Sequence, residues 1–522
     1  HEDFELLVPS LLLDHLDFLL LLRQLQTLHQ LLNGLLVVVP MLAAAIGFVA
    51  GERQWVRDIL TVGSLAGATA IAGILLAYVE SEGTVVLRVG DWDPELGIVL
   101  VVDLMAALVL LVAMATILVV QLFAIGQRRT AWGADPQLSG PLLLVLTSGV
   151  VLAFLTGDLF TLFVAFELIL VSSYVLLTHQ GRRGQIRSGM TYVAMNLFAS
   201  TLFLVGLAVV YASTGTVNLA LLAERIPELD DPLRWGIGLW FLVVFGTKAA
   251  IFPLFSWLPD SYPTAPTTIT AVFAGLLTKI GVYVLIRFHV LTGMDDLGPL
   301  ILTLAALTMV IGVAGALAQD DVKRILSFHI ISQIGYMLMG LGLFTLAGIA
   351  GAIVFLVHHI PVKTVLFLVG GLIEEREGTS ALDKIGGLAQ RQPLLAVLFA
   401  LPALSLAGIP PFSGFVAKLA LVDAGIEKVV VPIVVIALAN SVLTLVSMVK
   451  IWTGVFWGSG DDESATPIRI LRPGHRLMVG ATAVALVASL AIAASFGPLW
   501  DLGERAAADL LDPSAYIEAV VS

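Results

Sequence analysis

One acidic residue stands alone in a long apolar stretch of the sequence. Residues 163–177 read FVAFELILVSSYVLL, and Glu167 is the only carboxylate among them. A charge at the middle of a membrane costs about 2.5–3.5 kcal/mol on insertion scales. Either a partner offsets this cost, or Glu167 takes up and releases a proton. The basic residues of the other apolar stretches decide between these two roles.

Lysines, but almost no arginines, occur inside the apolar stretches, and only Arg287 comes close, near a stretch end. Lysine is the basic residue whose pKa responds to burial, whereas arginine stays charged. A path that gains and loses protons therefore uses lysine, and this choice indicates transport. Lys450, which precedes Trp452 and Trp457, is expected to be an interface anchor. The lysines inside apolar stretches are Lys248, Lys279, Lys363, Lys418 and Lys450.

Glu167 and Lys248 are candidates for a coupled pair. Ionised carboxylate and ammonium groups within about 4–6 Å lower each other's burial cost and set each other's protonation. The alternative is a structural ion pair that locks two helices together. Lys279 lies too far from either end of its stretch for its head group to reach the interface. With Lys418 also near mid-depth, these groups are predicted to form a row in the membrane plane.

Three histidines could extend this row. His329 lies in RILSFHIISQIGY, and His358 and His359 lie in FLVHHIPVKTVLF. His359 and Lys363 are four residues apart and share one helix face. Histidine titrates near neutral pH and can relay protons. For each histidine alone, a neutral hydrogen-bonded helix contact is the alternative.

Prolines interrupt two apolar stretches at matching places. KAAIFPLFSWLPD carries Pro253, and LAGIPPFSGFVAK carries Pro410 and Pro411 about 158 residues later. Proline lacks an N–H, so Pro253 is expected to free the carbonyl of Ala249 and Pro411 that of Ala407. Such carbonyls persist at membrane depth only against protein or water. One such break alone would suggest an ordinary kink, but two at matching positions indicate broken helices on an ion path.

The composition is that of a membrane protein. The chain has 522 residues, of which 58% are apolar and 13% charged, and its mean hydropathy is +1.00. Soluble proteins are about one quarter charged. The absence of cysteine and of glycine-rich phosphate loops excludes iron–sulfur chemistry and ATP hydrolysis. We therefore expect no cofactor, no metal site and no enzyme activity, with energy supplied by an ion gradient or a partner subunit.

Apolar runs of about twenty residues predict an all-α polytopic protein with about fourteen transmembrane helices. The predicted spans lie near 32–50, 59–79, 98–125, 139–156, 158–178, 188–211, 235–256, 263–290, 298–318, 322–344, 348–373, 393–421, 430–455 and 477–497.

The spans fall into groups. Residues 32–125 hold the first three helices, and 477–522 hold the last helix and a tail. Residues 139–290 (helices 4–8) and 298–455 (helices 9–13) are predicted to be two repeats with broken helices 7 and 12. Because each repeat has five spans, consecutive repeats are inverted. Residues 1–31 form an extension of uncertain role, either an interfacial helix or an artificial addition.

Basic residues concentrate in alternate loops. One set carries clusters such as Arg182, Arg183 and Arg187, whereas the opposite set is rich in acids. The positive-inside rule places the first set in the cytoplasm and both termini outside. We expect a multi-pass protein of the cell (plasma) membrane, with no basic patch for nucleic acid.

The sequence resembles the antiporter-like family shared by respiratory complex I and the multisubunit cation/proton antiporters of the Mrp type. The resemblance covers about 32–497 and rests on GDLFTLFVAFELILVSSY, KAAIFPLFSWLPDSYPTAPTTITAVFAGLLTKIGVYVLIRF, DDVKRILSFHIISQIGYML and LAGIPPFSGFVAK. It implies the same fourteen spans and repeats. It also implies that Glu167, Lys248, Lys279 and Lys418 are the ionisable residues of helices 5, 7, 8 and 12.

Within the family, PLFSWLPDSYPTAP and Lys418 favour the Mrp branch. The resemblance implies a proton-translocating subunit of a cation/proton antiporter, with H⁺ and Na⁺ or another monovalent cation as substrates and other subunits as partners. The alternative is a proton-pumping subunit of a quinone- or hydrogenase-linked oxidoreductase. A scaffold role leaves the buried lysines unexplained.

Overall fold

The computed structural model describes residues 28–51, 53–128, 136–458 and 474–521, and these are mostly helical, as predicted. Twelve helices in these ranges are long and apolar enough to cross a membrane. The helices that correspond to the predicted spans are α1 Leu28–Val49, α2 Gln54–Glu82, α3 Leu104–Arg128, α4 Pro136–Leu155, α5 Leu159–Thr178, α6 Arg183–Thr214, α7 Asp231–Ala249, α8 Thr267–Leu291, α9 Gly298–Leu317, α10 Val322–Leu343, α11 Leu346–Glu377, α12 Pro393–Ala407, α13 Val431–Trp452 and α14 His475–Ala494.

Helices α7 and α12 are broken, as the prolines predicted. α7 ends at Ala249, and Ala250 adopts a left-handed conformation before a turn leads to the short helix Trp257–Ser261. α12 ends at Ala407, and the chain resumes as helix Ser413–Glu427. Neither is among the twelve full spans, so the count of fourteen crossings and the inverted repeats stay predictions.

A short β-hairpin precedes α3, which the prediction of a span over 98–125 missed. Strand Val85–Arg88 pairs antiparallel with Val99–Val102. The valine-rich run fits a strand as well as a membrane helix, so periodicity alone did not separate them. α3 starts after Asp103, whose side chain accepts a hydrogen bond from the Ala106 N–H at 2.9 Å. This cap fixes the boundary between strand and helix.

The two ends of the chain differ from the expected pattern. Residues 1–27 of the predicted extension lie outside the described residues, and 28–31 belong to α1. Two helices follow α14 in the tail, Phe496–Leu511 and Ser514–Val521. The Arg88 guanidinium donates to the Val520 carbonyl at 2.8 Å, so the tail is tied to the hairpin.

Three helices form the most deeply buried part of the described residues. The most apolar windows of α8 and α11 are completely buried and that of α10 is 94% buried, whereas the corresponding figure for α1, α2 and α14 is 33%. Polar side chains on α8, α10 and α11 therefore face protein rather than lipid. Most of the predicted site residues lie on these helices.

Candidate functional site

Lys248 lies in the last turn of α7, one residue before the break. Its side chain is buried and donates to the Asn196 carbonyl at 3.4 Å and to the Ser200 hydroxyl at 3.2 Å, both on α6. Its Nζ also lies 5.2 Å from the centre of the Phe166 ring. Neutral oxygen atoms and an aromatic face, rather than a carboxylate, therefore hold this amine.

Glu167 follows Phe166 on α5 and lies near Lys248 without touching it. Its Oε1 is buried and has no hydrogen-bond partner among the described residues. Lys248 lies within electrostatic range of this carboxylate, but the described residues contain no ion pair between them. A structural ion pair that locks α5 to α7 is therefore not formed. The two groups are close enough to influence each other's charge while remaining separate.

Lys279 is completely buried in α8, beside a local change of helix type. Residues Phe273–Leu277 form a π-helical turn, which disturbs the regular pairing of backbone carbonyls. The Lys279 amine donates to the carbonyl of Ala274 in this turn. No carboxylate among the described residues pairs with it. The π-turn thus supplies the oxygen that makes a buried lysine tolerable here.

A glycine brings Lys279 close to the first break. A Cβ at Gly281 would lie 2.5 Å from the Ala249 N, so only glycine allows α8 to pack this closely against the end of α7. Lys248 and Lys279 therefore belong to helices whose backbones touch, although their side chains have different partners.

α11 carries Lys363 and His359 in the centre of the protein. Lys363 donates to the Leu326 carbonyl at 3.0 Å. His359 is completely buried, and neither ring nitrogen has a partner among the described residues. Lys279, Lys363 and Lys418 all lie within electrostatic range of this ring. His359 is thus a buried proton-binding group with its hydrogen-bonding capacity unused, between three lysines.

His358 and His329 have hydroxyl partners. His358 Nδ1 lies 2.7 Å from the Ser413 Oγ, and His329 Nε2 is hydrogen-bonded to the Ser447 Oγ. His329 Nδ1 has no partner among the described residues. His289 provides a contrast, because both of its ring nitrogens contact backbone carbonyls, at 3.0 and 3.1 Å. His289 matches the structural alternative for a buried histidine, whereas His359 has no such contact among the described residues and His329 has one at only one of its two nitrogens.

Lys418 lies at the second break and binds the end of α12. Its amine donates to the carbonyls of Leu406 at 2.9 Å and Ala407 at 3.3 Å, and to the Ser441 hydroxyl at 3.2 Å. It also lies 4.7 Å from the centre of the Tyr336 ring. The carboxyl end of a helix carries partial negative charge, which favours an ammonium group. The Ala407 carbonyl, which the sequence predicted to be freed by Pro411, therefore accepts a hydrogen bond from Lys418.

The first break uses a different carbonyl. The Trp257 indole donates to the Thr247 carbonyl at 3.1 Å, and the Phe252 N–H donates to the Thr308 hydroxyl at 3.1 Å. No hydrogen bond to the Ala249 carbonyl is among those of the described residues. The two prolines therefore produce similar breaks whose polar groups have different partners.

Several polar neighbours of the row were not predicted. Gln333 is completely buried, and neither its amide oxygen nor its nitrogen has a partner among the described residues. It follows His329 by four residues on α10, so the spacing alone could have placed both on one face. Ser441 and Ser447 come from α13, and no pattern in the sequence marks them. Only the packing shows that these hydroxyls reach Lys418 and His329.

Lys450 is separate from the other lysines. It forms an ion pair with Asp320 at 2.8 Å and donates to the carbonyls of Leu317 and Gln319 at 3.0 and 2.7 Å. These contacts join the end of α13 to the loop after α9. Lys450 therefore has a structural role. It can serve as a control for the buried lysines that have no carboxylate partner among the described residues.

The arrangement suits proton movement. Glu167 lies within electrostatic range of Lys248, and Lys279 and Lys418 lie within electrostatic range of His359 and Lys363. That these two groups form one continuous row stays a prediction. Like charges in a low-dielectric interior repel strongly, so these lysines and histidines cannot all be charged at once. A proton held by one group therefore affects whether its neighbour is charged.

Comparison with known proteins identifies the family of this chain. The family described as NADH:quinone oxidoreductase/Mrp antiporter, transmembrane, matches residues 156–444, which contain the whole row. The chain belongs to this family. Its relatives include a Na(+)/H(+) antiporter subunit of Alkalihalophilus pseudofirmus, 41% identical over 491 residues, which cover 93% of this chain and 98% of the relative. The Na(+)/H(+) antiporter of Bacillus subtilis has a similar subunit, 37% identical over 500 residues, with the same coverage.

A solved structure is similar in fold over nearly the whole chain. It is that of the Mrp complex from Dietzia sp., whose matching chain is 34% identical with a TM-score of 0.87. The match covers 95% of this chain and 100% of that chain. The likeness thus extends to the described helices outside the family match, and the homologues are subunits of a multisubunit membrane antiporter.

Proposed function

We propose that this chain is the proton-translocating subunit of a monovalent cation/proton antiporter, with Na⁺ as the cation, as the names of its relatives suggest. One observation carries the proposal. Both Lys279 of α8 and Lys418 of the helix Ser413–Glu427 lie within electrostatic range of His359 and Lys363 on α11, and no carboxylate among the described residues pairs with these lysines. Burying several ionisable groups in a membrane costs free energy, which a purely structural role does not explain. The same groups are suited to passing protons.

The path begins at Glu167 and Lys248. The ammonium form of Lys248 is favoured while Glu167 is ionised and disfavoured once Glu167 takes up a proton, because the nearby negative charge is then lost. Since the two groups make no ion pair, no strong contact has to break when either one changes charge. A cation that arrives near this pair changes the charge state of Lys248 in the same direction as a proton that binds Glu167, and its departure has the opposite effect. This coupling links cation movement to proton movement.

The central part of the path passes through His359. This ring has no competing protein partner among the described residues, so either nitrogen is free to exchange a proton with Lys279, Lys363 or water. Lys418 receives the charge at the other end, where the carbonyls of α12 and the Ser441 hydroxyl stabilise an ammonium group. Protons thus move along the membrane plane before release, and inward proton flow drives cation efflux.

The proposal is tested in inside-out vesicles from an antiporter-deficient host that expresses the full operon. A proton gradient is formed, Na⁺ is added, and a dye reports the pH difference. Wild type is compared with Glu167→Ala, Lys279→Met and Lys450→Met. We expect Na⁺ to collapse the gradient in wild type and Lys450→Met, because Lys450 lies outside the row, and to have no effect in the other two.

The outcomes separate the alternatives. Full antiport by Glu167→Ala at normal protein level contradicts the path. No response of wild type to Na⁺, K⁺ or Li⁺, together with acidification after addition of an electron donor, supports the oxidoreductase alternative instead.

A further inference from the structure

A groove lies where three helices end at the same level. α11 ends at Glu377, α12 begins at Pro393, and α14 begins at His475. The groove has a volume of about 390 Å³, and its wall is largely apolar, with Leu372, Leu395, Leu398 and Val479 among the lining side chains. None of the row residues lines it.

Two arginines line this groove, and no acidic residue is among its lining residues. Arg376 comes from the last turn of α11 and Arg476 from the first turn of α14, and neither forms an ion pair or hydrogen bond among the described residues. Two acids at the same end of α11 lie outside the lining, and one of them, Glu377, acts electrostatically on Arg376. Glu377 accepts hydrogen bonds from Arg391 at 3.3 and 3.4 Å, and Glu375 lies 3.8 Å from a ring nitrogen of His475. The side chains that line the groove therefore include two positive charges and no negative charge.

The starts of two helices add to this positive potential. The first turns of α12 and α14 line the groove, and neither helix has a side-chain cap at its start. The N–H groups of a first turn lack partners within the helix and carry partial positive charge. Together with the two guanidinium groups, they favour an anion with several acceptor oxygens.

We propose that the groove binds an anionic phospholipid. The phosphate would lie between Arg376 and Arg476, because guanidinium groups bind phosphate with paired, charge-assisted hydrogen bonds. One acyl chain would follow the apolar wall of leucines. The depth is right, because the ends of membrane-spanning helices lie at the level of lipid head groups, where basic pockets between helices bind anionic lipids. This inference does not depend on the proposed transport function.

The test measures lipid binding by native mass spectrometry of the delipidated antiporter assembly containing this chain. Phosphatidylglycerol, phosphatidylcholine and inorganic phosphate serve as probes. One double variant, Arg376→Gln with Arg476→Gln, removes the charges. A second variant, Gly480→Leu, fills the groove without changing charge, since a Cβ at Gly480 meets no atom within 4 Å. The matched control replaces two exposed arginines at the start of α6, Arg183→Gln with Arg187→Gln.

We expect wild type and the control pair to bind phosphatidylglycerol at least about tenfold more tightly than phosphatidylcholine, from two charge-assisted contacts. Both groove variants should lose about tenfold or more in affinity for phosphatidylglycerol. Equal binding of the two lipids, or unchanged binding by Gly480→Leu, overturns the proposal. Displacement of the lipid by millimolar inorganic phosphate, with Gly480→Leu unaffected, assigns the site to a free anion. If the arginine variant does not fold, Gly480→Leu alone decides.

Discussion

Lys418 offers the sharpest test of whether a buried lysine carries protons or only stabilises a helix end. Its amine donates to the carbonyls of Leu406 and Ala407 and to Ser441. In Lys418→Met, Ala407 keeps a bond from the Ser441 hydroxyl at 2.7 Å, but the Leu406 carbonyl has no other donor among the described residues. One buried unsatisfied carbonyl costs about 1–3 kcal/mol of stability.

Lys418→Arg separates the two roles. Arginine retains donors for the same carbonyls and a charge that suits the end of α12, whose attraction for a cation is worth about 0.3–1 kcal/mol. Its guanidinium does not release a proton. We therefore expect Lys418→Arg to recover most of the stability that Lys418→Met loses, while both variants abolish Na⁺-driven collapse of the pH gradient.

The assay pairs two measurements on material from the same cells. Thermal survival of the purified assembly reports stability, and the pH-sensitive dye in inside-out vesicles reports antiport. Lys450→Arg is the control, because Lys450 is ion-paired with Asp320 and lies outside the row. Antiport at the wild-type rate by Lys418→Arg refutes the reasoning, since a permanent charge would then suffice at this position.

Three further predictions concern stability. Gly281→Val should lower folded yield, because its Cβ would lie 2.5 Å from the Ala249 N and overpacking costs about 1–3 kcal/mol. Asp103→Asn should destabilise the protein by about 3–5 kcal/mol, because it leaves Arg287, ion-paired to Asp103 at 2.7 Å, buried without a negative partner. Asp158→Ala should cost about 1 kcal/mol by removing the cap of α5, while Asp158→Asn retains it.

The Asp158 prediction includes a pH dependence. Burial raises the pKa of Asp158 above its ordinary value, and this residue lies between two spans. Its protonation therefore contributes stability that is fully present below the ordinary carboxyl pKa and is lost as the pH rises through the raised pKa in the folded protein. Asp158→Asn should lack this contribution, measured as a smaller gain in thermal survival on acidification than in wild type.

Each stability prediction has a defined contrary result. Normal yield of Gly281→Val means that α7 and α8 do not pack in direct contact. If Asp103→Asn with Arg287→Met is no more stable than Asp103→Asn alone, the unpaired arginine is not the cause. Equal losses in both Asp158 variants mean that the cap is unimportant.

Much of the fold could be predicted because the relevant signals lie along single helices. Long apolar runs mark the spans, and Pro253 and Pro411 mark the breaks through a missing N–H. The hairpin before α3 was missed because a short run of valines suits a strand and a span equally well. The tail helix Phe496–Leu511 has apolar residues on one face, a pattern that indicates an amphipathic helix but not a membrane span, so a search for spans passed over it.

The sequence by itself determined which groups are available: one carboxylate and several lysines and histidines inside apolar stretches, since burial cost follows from residue type and position in a run. The tertiary structure decided which of these groups have partners. It separated Glu167 from Lys248, left both nitrogens of His359 unpaired, and placed Lys418 on the carbonyls of α12. Such contacts depend on the rotation and the distance of neighbouring helices. Many side chains from distant parts of the chain together determine both.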